Sequence, residues 1–383
     1  MSVASISDFR QKAKQRLPHF LYEYIVGGSY QETTLRANRE DLQRIALRQR
    51  VLKDVGEVST ECHLLGKPCK MPVVLAPIGL AGAYARRGEV QAAQAAEKQK
   101  TPFTLSTVSL CSVEEVAAAV TPPPWFQLYM IKDRCFVQRL LQRVARVGCD
   151  TLMLTVDLPV PGARYRDVRS GLNGSNTMMN HMRRVGQSLL RPRWAWDVGL
   201  RGRPHSLGNL TPELGRDSGL ADFIRWIEKN FDPTATWHDI DFIRQNWSGK
   251  IILKGILDVE DAQQALDLGV DGIVVSNHGG RQLDGTPSTA RALPAIAERL
   301  NGKLTILADG GVESGLDVVR MLALGADGVL LGRAWAFALA AGGRLGVQQM
   351  LQLIHDEMRV AMALTGHTDV TTIARASLVS EAL

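Results

Sequence analysis

His278 and Arg281 lie in the run Ser276-Asn277-His278-Gly279-Gly280-Arg281-Gln282, directly after the apolar stretch Gly272-Ile273-Val274-Val275. A base and a cation among glycines, where a buried strand opens into a loop, mark a place where backbone approaches a ligand and both side chains reach it. His278 is the candidate general base. Asp157, which ends Leu154-Thr155-Val156-Asp157, is the candidate orienting acid. A carboxylate on the imidazole N–H fixes the tautomer and stabilises the imidazolium formed on proton uptake; the plainer alternative is a cap for the loop Pro159–Gly162. Arg281 and Arg164 point to a carboxylate substrate, because the planar guanidinium matches both oxygens of a carboxylate. For Arg164 the alternative is a surface pair with Asp167. Tyr24 and Tyr129 can add phenol hydrogen bonds to a substrate hydroxyl and carboxylate.

Lys254 interrupts Ile251-Ile252-Leu253 and Gly255-Ile256, and a buried ammonium needs an anionic partner. The negative charge that develops on a flavin ring during reduction would be one partner; a carboxylate inside the fold would be another. Asp309-Gly310-Gly311 and Leu331-Gly332-Arg333 form glycine-rich turns beside the last two predicted strands. Backbone N–H groups at such turns, with a helix start and an arginine, make an anion pocket. No dinucleotide fingerprint follows an N-terminal strand and no Walker lysine motif is present, so a mononucleotide such as FMN is preferred to NAD or ATP. A flavin, a base and a carboxylate clamp together mean oxidation at the carbon next to a carboxylate.

These groups need a scaffold that gathers strand ends. Apolar runs at Met71–Leu80, Pro102–Thr107, Trp125–Met130, Thr151–Asp157, Ile251–Ile256, Gly272–His278, Leu304–Gly311 and Gly328–Gly332 read as strands. Amphipathic segments between them, such as Glu89–Lys98, Cys135–Val147 and Leu316–Leu324, read as helices. Strict alternation of this kind predicts an α/β fold, a (β/α)8 TIM barrel with its functional residues at the C-terminal ends of the strands. Ser106, Gln127, Tyr129, Thr155, Asp157, Lys254, Ser276, His278, Asp309 and Arg333 all fall there. An N-terminal helical segment, Ser7–Tyr24, precedes a barrel core of about residues 71–345, and a final helix is predicted over Gly346–Leu364. A long insertion of about residues 170–237 follows the fourth strand. The whole chain reads as a single domain, 1–383.

The 45% hydrophobic and 22% charged content is globular, and no stretch approaches the roughly 20 apolar residues of a transmembrane helix. Met1–Arg16 does not read as a secretory signal, so the cytoplasmic side is expected. Five scattered cysteines, an odd number without ligand spacing, argue against a disulfide framework or a metal site. Much of the net charge of +6 is local. Arg183, Arg184, Arg191, Arg193, Arg201 and Arg203 stand with Leu189, Leu190, Trp194 and Trp196, and only Asp197 opposes them. That pattern favours peripheral contact of the 183–203 region with an anionic membrane, and so a lipid-soluble acceptor; a folded lid with solvated arginines is the alternative. A nucleic-acid role would want a basic face with stacking aromatics, which is not found.

Ser276–Gln282 with Leu283-Asp284, the stretch from Leu17-Pro18 to Gly28, Trp125-Phe126-Gln127-Leu128-Tyr129, Thr155-Val156-Asp157 and Asp309-Gly310-Gly311 together resemble the FMN-dependent L-2-hydroxy acid dehydrogenase and oxidase family. Tyr84–Val90, Gly162–Asp167 and Phe231-Asp232-Pro233 look most like its bacterial respiratory branch, which oxidises L-lactate and passes electrons to the quinone pool. The resemblance implies that Ala76, Pro77, Ile78 and Gly79 run along the flavin edge. It implies that Ser106, Gln127, Thr155, Lys254, Ser276, Asp309, Gly310, Gly311, Gly332 and Arg333 hold FMN. Tyr24, Tyr129, Arg164 and Arg281 would bind the substrate, and His278 with Asp157 would do the proton chemistry. Whether hydrogen leaves the carbon as a hydride or as a proton stays open. The resemblance also implies a homotetramer on the cytoplasmic face of the bacterial inner membrane. An L-mandelate dehydrogenase or an oxygen-using oxidase is the alternative enzyme, although Gly79 resembles the dehydrogenases where several oxidases carry alanine. A non-catalytic flavin-binding scaffold is disfavoured by the intact set of reactive groups. One departure stands out: after Asp309-Gly310-Gly311-Val312 many relatives carry an arginine for the FMN phosphate, and this chain has Glu313. Neutralisation would then fall on Arg333 and backbone N–H groups, with weaker FMN retention.

Overall fold

The computed structural model describes residues 2–173, 178–203, 205–211, 226, 229–300 and 302–379. A short antiparallel hairpin, β1 (Cys62–Leu64) with β2 (Lys67–Cys69), precedes eight parallel strands. These are β3 (Val73–Leu75), β4 (Thr104–Ser106), β5 (Trp125–Tyr129), β6 (Thr151–Thr155), β7 (Lys250–Ile256), β8 (Gly272–Val275), β9 (Thr305–Ala308) and β10 (Gly328–Leu331). Neighbours in space are neighbours in sequence from β4 to β10, and β10 pairs with β3. A bridge between Leu75 and Phe103 brings β3 back to the start of β4, so the ring closes. All eight sequence-predicted strands are present.

Both faces of this sheet are buried, which is why its strands read as continuous apolar runs. Val74, Trp125, Met153, Ile252, Val274, Leu307 and Leu330 fill the barrel interior. The alternating positions Val73, Leu75, Phe126, Leu152, Leu154, Leu253 and Ile273 belong to the outer core under the helices. α1 (Ile6–Arg16), α2 (His19–Val26) and α3 (Thr33–Arg44) come before the barrel. α4 (Gly88–Lys98), α5 (Val113–Ala117) and α6 (Arg134–Arg146) follow its first strands. In α6, Asp133 accepts the Phe136 N–H at 2.9 Å and caps the helix start, and Phe136, Val137, Leu140, Leu141 and Val144 form its buried stripe. Each such side chain contributes about 1.5–3 kcal/mol, and Leu140→Ala would cost about 2–5 kcal/mol.

The single predicted helix over Ser7–Tyr24 is two helices. Pro18 lacks an N–H and sits at the N-cap of α2, so the chain turns at Leu17-Pro18. α7 (Tyr165–Ser170) leads into the insertion, which carries α8 (Met178–Leu189) and α9 (Pro192–Trp194), and α10 (Asp239–Asn246) leads back to β7. Asn209 fastens the insertion to the barrel mouth: its Oδ1 accepts the Val113 N–H at 2.8 Å, and its Nδ2 donates to the Ser106 carbonyl at 3.1 Å and to Ser109 Oγ at 2.9 Å. α11 (Val259–Asp267), α12 (Thr289–Leu300), α13 (Gly315–Ala323) and α14 (Arg333–Thr365) complete the outer layer. α14 breaks at Gly343, whose φ of 59° only glycine adopts easily, and its second half is the predicted C-terminal helix.

Candidate active site

A cavity of about 550 Å³ opens at the C-terminal ends of the strands. Tyr24, Ala76, Pro77, Ile78, Gly79, Tyr129, Thr155, Arg164, Lys254, His278, Arg281, Asp309, Gly310, Gly311, Gly332 and Arg333 all line it. Ser106, Gln127, Ser276 and Asp157 stand one layer behind. Ser106 Oγ donates to Gln127 Oε1 at 3.0 Å and Gln127 Nε2 donates to Thr155 Oγ1 at 3.0 Å, so this relay reaches the cavity wall through Thr155.

His278 Nδ1 lies 3.0 Å and 3.2 Å from the two carboxylate oxygens of Asp157. Asp157 can only accept here, which assigns the proton to Nδ1 and leaves the Nε2 lone pair free. Asp157 therefore orients the histidine. Burial pushes the Asp157 carboxyl up, but His278 and Lys254 outweigh it and hold the group ionised below its ordinary range. Burial pushes the His278 imidazole down from its ordinary value; Asp157 opposes this, and Lys254 and Arg164 reinforce it. His278 has a φ of 57°, rare outside glycine, followed by Gly279 and Gly280 at 62° and 72°. A Cβ at Gly279 would lie 2.6 Å from Arg333 Nη1, and one at Gly280 2.6 Å from the Leu35 nitrogen. The two glycines thus let the His278 loop pack against α14 and α3 at once. Asn38 and Asn277 exchange side-chain hydrogen bonds of 2.8 Å beneath it.

Lys254 is 4% exposed and has the internal carboxylate that its burial demands. Its Nζ donates to Asp309 Oδ2 at 2.9 Å and to Ser276 Oγ at 2.7 Å, and Ser276 Oγ also accepts the His278 N–H at 3.0 Å. The ammonium, the histidine loop and the β9 turn are thereby one network.

Arg281 Nη1 donates to the carbonyls of Tyr24 and Gly27, each at 2.7 Å, and the guanidinium stacks over the Tyr24 ring at 4.8 Å. Arg164 is not a surface partner of Asp167. It lines the cavity, and its buried Nε has no hydrogen-bond partner. Burial, and then the Arg281 cation, lower its proton affinity. Two cations lining one cavity, one with an unpaired donor, are suited to binding an anion. Arg166, next to it, pairs with Glu23 at 2.9 Å and Glu32 at 2.6 Å and ties this loop to the N-terminal helices. The Tyr129 phenol is kept protonated chiefly by burial, with its ring 4.9 Å from that of Phe231.

The other end of the cavity suits a phosphorylated ligand. Gly332 is the N-cap of α14 with no side-chain cap, and a Cβ built on it meets nothing within 4 Å. Open glycine backbone at a helix start is an anion cradle. Burial, reinforced by Arg281, pushes the Arg333 guanidinium down to about 9. Together with Lys254 part-way along the wall, this donor set fits a flavin mononucleotide, whose phosphate Gly332 and Arg333 could hold.

Several contributing residues have no site role in the sequence reading. Gly255 kinks β7 beside Asp157, Tyr84 lines the cavity and donates to the Gly79 carbonyl at 3.3 Å, and Arg39 reaches the glycine-rich end of the cavity from α3. Asn38 had a legible signal: with Thr34, Asp41 and Leu42 it marks a buried helix face that is largely polar. In the insertion, one of the two tryptophans expected at a lipid surface turns inward. Trp194 is 8% exposed and its Nε1 donates to the Ala83 carbonyl at 2.8 Å, so it anchors the insertion rather than facing lipid. Arg184 and Arg191 are likewise spent on the carbonyls of Gly171 and Leu17. Trp196 is 60% exposed.

The family model described as FMN-dependent dehydrogenase matches residues 13–380. An L-lactate dehydrogenase of Acinetobacter baylyi is 58% identical over 379 residues, 99% of this chain and 98% of its own length. Another, from Caulobacter sp. (strain K31), is 59% identical over 378 residues, 99% of both chains. Among solved structures, the monotopic membrane protein (S)-mandelate dehydrogenase superposes with a TM-score of 0.93 at 33% identity over 100% of both chains. A mandelate oxidase superposes with a TM-score of 0.82 at 36% identity over 96% of both.

Proposed function

The chain belongs to the FMN-dependent dehydrogenase family, and from that premise we propose that it oxidises L-lactate to pyruvate and delivers the electrons to a membrane quinone. The observation that carries this reading is His278, oriented by Asp157, in one cavity with the Arg164–Arg281 pair. Ala76–Gly79, Thr155, Lys254, Gly310, Gly311, Gly332 and Arg333 would hold FMN at the wall, with Ser106, Gln127, Ser276 and Asp309 behind or bracing them. Bound FMN supplies the two-electron acceptor.

The protein's own groups bind and deprotonate. Arg164 and Arg281 take the substrate carboxylate, each charge-assisted bond contributing about 1.5–3 kcal/mol. Tyr24 and Tyr129 donate to the substrate oxygens. His278 Nε2 accepts a substrate proton, and Asp157 stabilises the imidazolium. Lys254 presents positive charge along the wall. One oxidation releases two electrons and two protons, and His278 carries one of those protons.

Membrane attachment rests on α8. Met178, Met182, Val185 and Leu189 are spaced along one helix face and are 80%, 65%, 45% and 71% exposed. No helix among the described residues is long and apolar enough to cross a bilayer. An exposed apolar stripe flanked by arginines favours a helix lying in the interface of an anionic leaflet, here the cytoplasmic face of the inner membrane, where a quinone is accessible. The homotetramer implied by the resemblance belongs to the same reading and is checked by light scattering. L-Mandelate is the second substrate reading, favoured by the (S)-mandelate dehydrogenase neighbour. Anaerobic mixing with L-lactate, L-mandelate or D-lactate separates the two. Fast bleaching of the flavin band by L-lactate alone, then faster reoxidation by a quinone analogue than by air, is expected. Bleaching chiefly by L-mandelate would transfer the assignment to the aryl substrate.

A further inference from the structure

Glu313 puts a carboxylate into the lining of the cavity end where the glycine turns gather, beside the start of α13. A phosphate monoester carries about −1.5 to −2 charges at neutral pH, so an unpaired carboxylate there would oppose it. Arg333 alone is a poor counterweight: its Nε and Nη2 already donate to the carbonyls of Ile25 at 3.0 Å and Gly27 at 2.8 Å. A second cation does reach this end, from outside the barrel. Arg39 projects from α3, forms an ion pair with Glu313, and lines the same cavity. The backbone of α3 is pressed onto the β9 turn: a Cβ at Gly311 would lie 2.3 Å from the Asn38 carbonyl oxygen and 3.1 Å from the Arg39 nitrogen. The Asn38–Asn277 pair and the Thr289 N–H, which donates to Asn38 Oδ1 at 3.2 Å, lock that contact. The Arg39 side chain is 37% exposed, so it can turn from solvent to an anion without breaking the core.

We propose that Arg39 is a phosphate-binding cation of the FMN site in this chain and that Glu313 positions it. The inference rests on the FMN end assigned above. It places the compensating charge for Glu313 on a helix far away in sequence, where the sequence reading had only Arg333 and the backbone. Glu313 limits the rotamers of the long Arg39 side chain and keeps it at the cavity rim, which lowers the ordering cost of binding.

The test compares FMN with riboflavin, which lacks the phosphate. Holoenzyme is equilibrated by dialysis against graded free FMN or graded riboflavin, and retained flavin is read by its absorbance. Arg39→Met should weaken FMN retention about tenfold to a hundredfold and leave riboflavin retention unchanged. Arg39→Lys, which keeps a point charge and guards against a folding defect, should fall in between. The double variant Arg39→Met with Glu313→Gln decides whether Arg39 binds phosphate itself. It should stay weak; recovery to wild-type affinity would mean that Arg39 merely neutralises Glu313 and would overturn the proposal. Equal loss of both flavins in Arg39→Met would also overturn it, by making the role structural. If the wild type itself holds FMN no better than riboflavin, the assignment of this end to phosphate fails, a result distinct from failure of Arg39 alone.

Discussion

Gly255 leaves the space that Asp157 occupies: a Cβ at position 255 would lie 2.5 Å from the Asp157 Cβ and 2.6 Å from its Cγ. The register of β7 against β8 shifts at this residue, whose φ is 111°. Gly255→Ala would therefore strain the backbone and push the carboxylate off His278. Misplacement of a positioning group by about 1 Å costs about 10²-fold. Turnover with a soluble dye should fall by that order while the folded protein keeps its flavin; a folded variant with wild-type kcat would refute the relationship.

Asp157→Asn should lower kcat by about 10²- to 10⁴-fold and change its pH dependence. Burial, Lys254 and Arg164 push the His278 imidazole down, and Asp157 pushes it up. Removing the carboxylate charge removes only the upward influence, so the acid limb of kcat/KM moves to lower pH than in the wild type. A pH profile of both proteins measures this, and an acid limb that moves upward would contradict the pairing.

The two arginines proposed to hold the substrate carboxylate should separate in stability. Arg164→Met loses no backbone contact and relieves a buried like charge, so kcat/KM for L-lactate should drop about 10- to 100-fold while Tm holds or rises. Arg281→Met also loses its bonds to Tyr24 and Gly27, so its Tm should fall as well. Calorimetry beside steady-state kinetics distinguishes them; the reversed pattern of Tm would count against the assignment.

Replacing Met178, Met182, Val185 and Leu189 together with serine should weaken binding to anionic vesicles at least tenfold and leave dye-linked turnover within about twofold. Sedimentation with vesicles reports the first and a dye assay the second. Substitution along this face is a cleaner test than deletion of the insertion, because Trp194 and Arg191 anchor it to the Ala83 and Leu17 carbonyls. Undiminished vesicle binding would remove α8 as the membrane contact.

Most of the fold was legible because its signals are local. A strand buried on both faces must be apolar along its length, and a helix over it must repeat an apolar face, so the eight βα units can be read without knowing their partners. The hairpin at Cys62–Cys69 escapes that reading: each strand has three residues, one of them contains Pro68, and neither alternates. The break at Leu17-Pro18 was readable from the proline alone. Trp194 was misassigned to the membrane because composition cannot tell which side of a short helix meets the barrel; packing against Ala83 decides that.

Residue chemistry, element order and the placement of reactive groups at strand ends are properties of the sequence by itself, since side-chain identity and periodicity need no long-range contact. What only the tertiary structure decided is which charges meet. Asp157 finds His278 across 121 positions because β6 and β8, on either side of β7, carry both to one rim and Gly255 of β7 keeps the rim open. Arg39 finds Glu313 across 274 positions because barrel closure brings the β9 turn under α3. Coulombic energy depends on separation and surroundings, not on order along the chain, so the charge balance of the cavity is set only when the ring is closed.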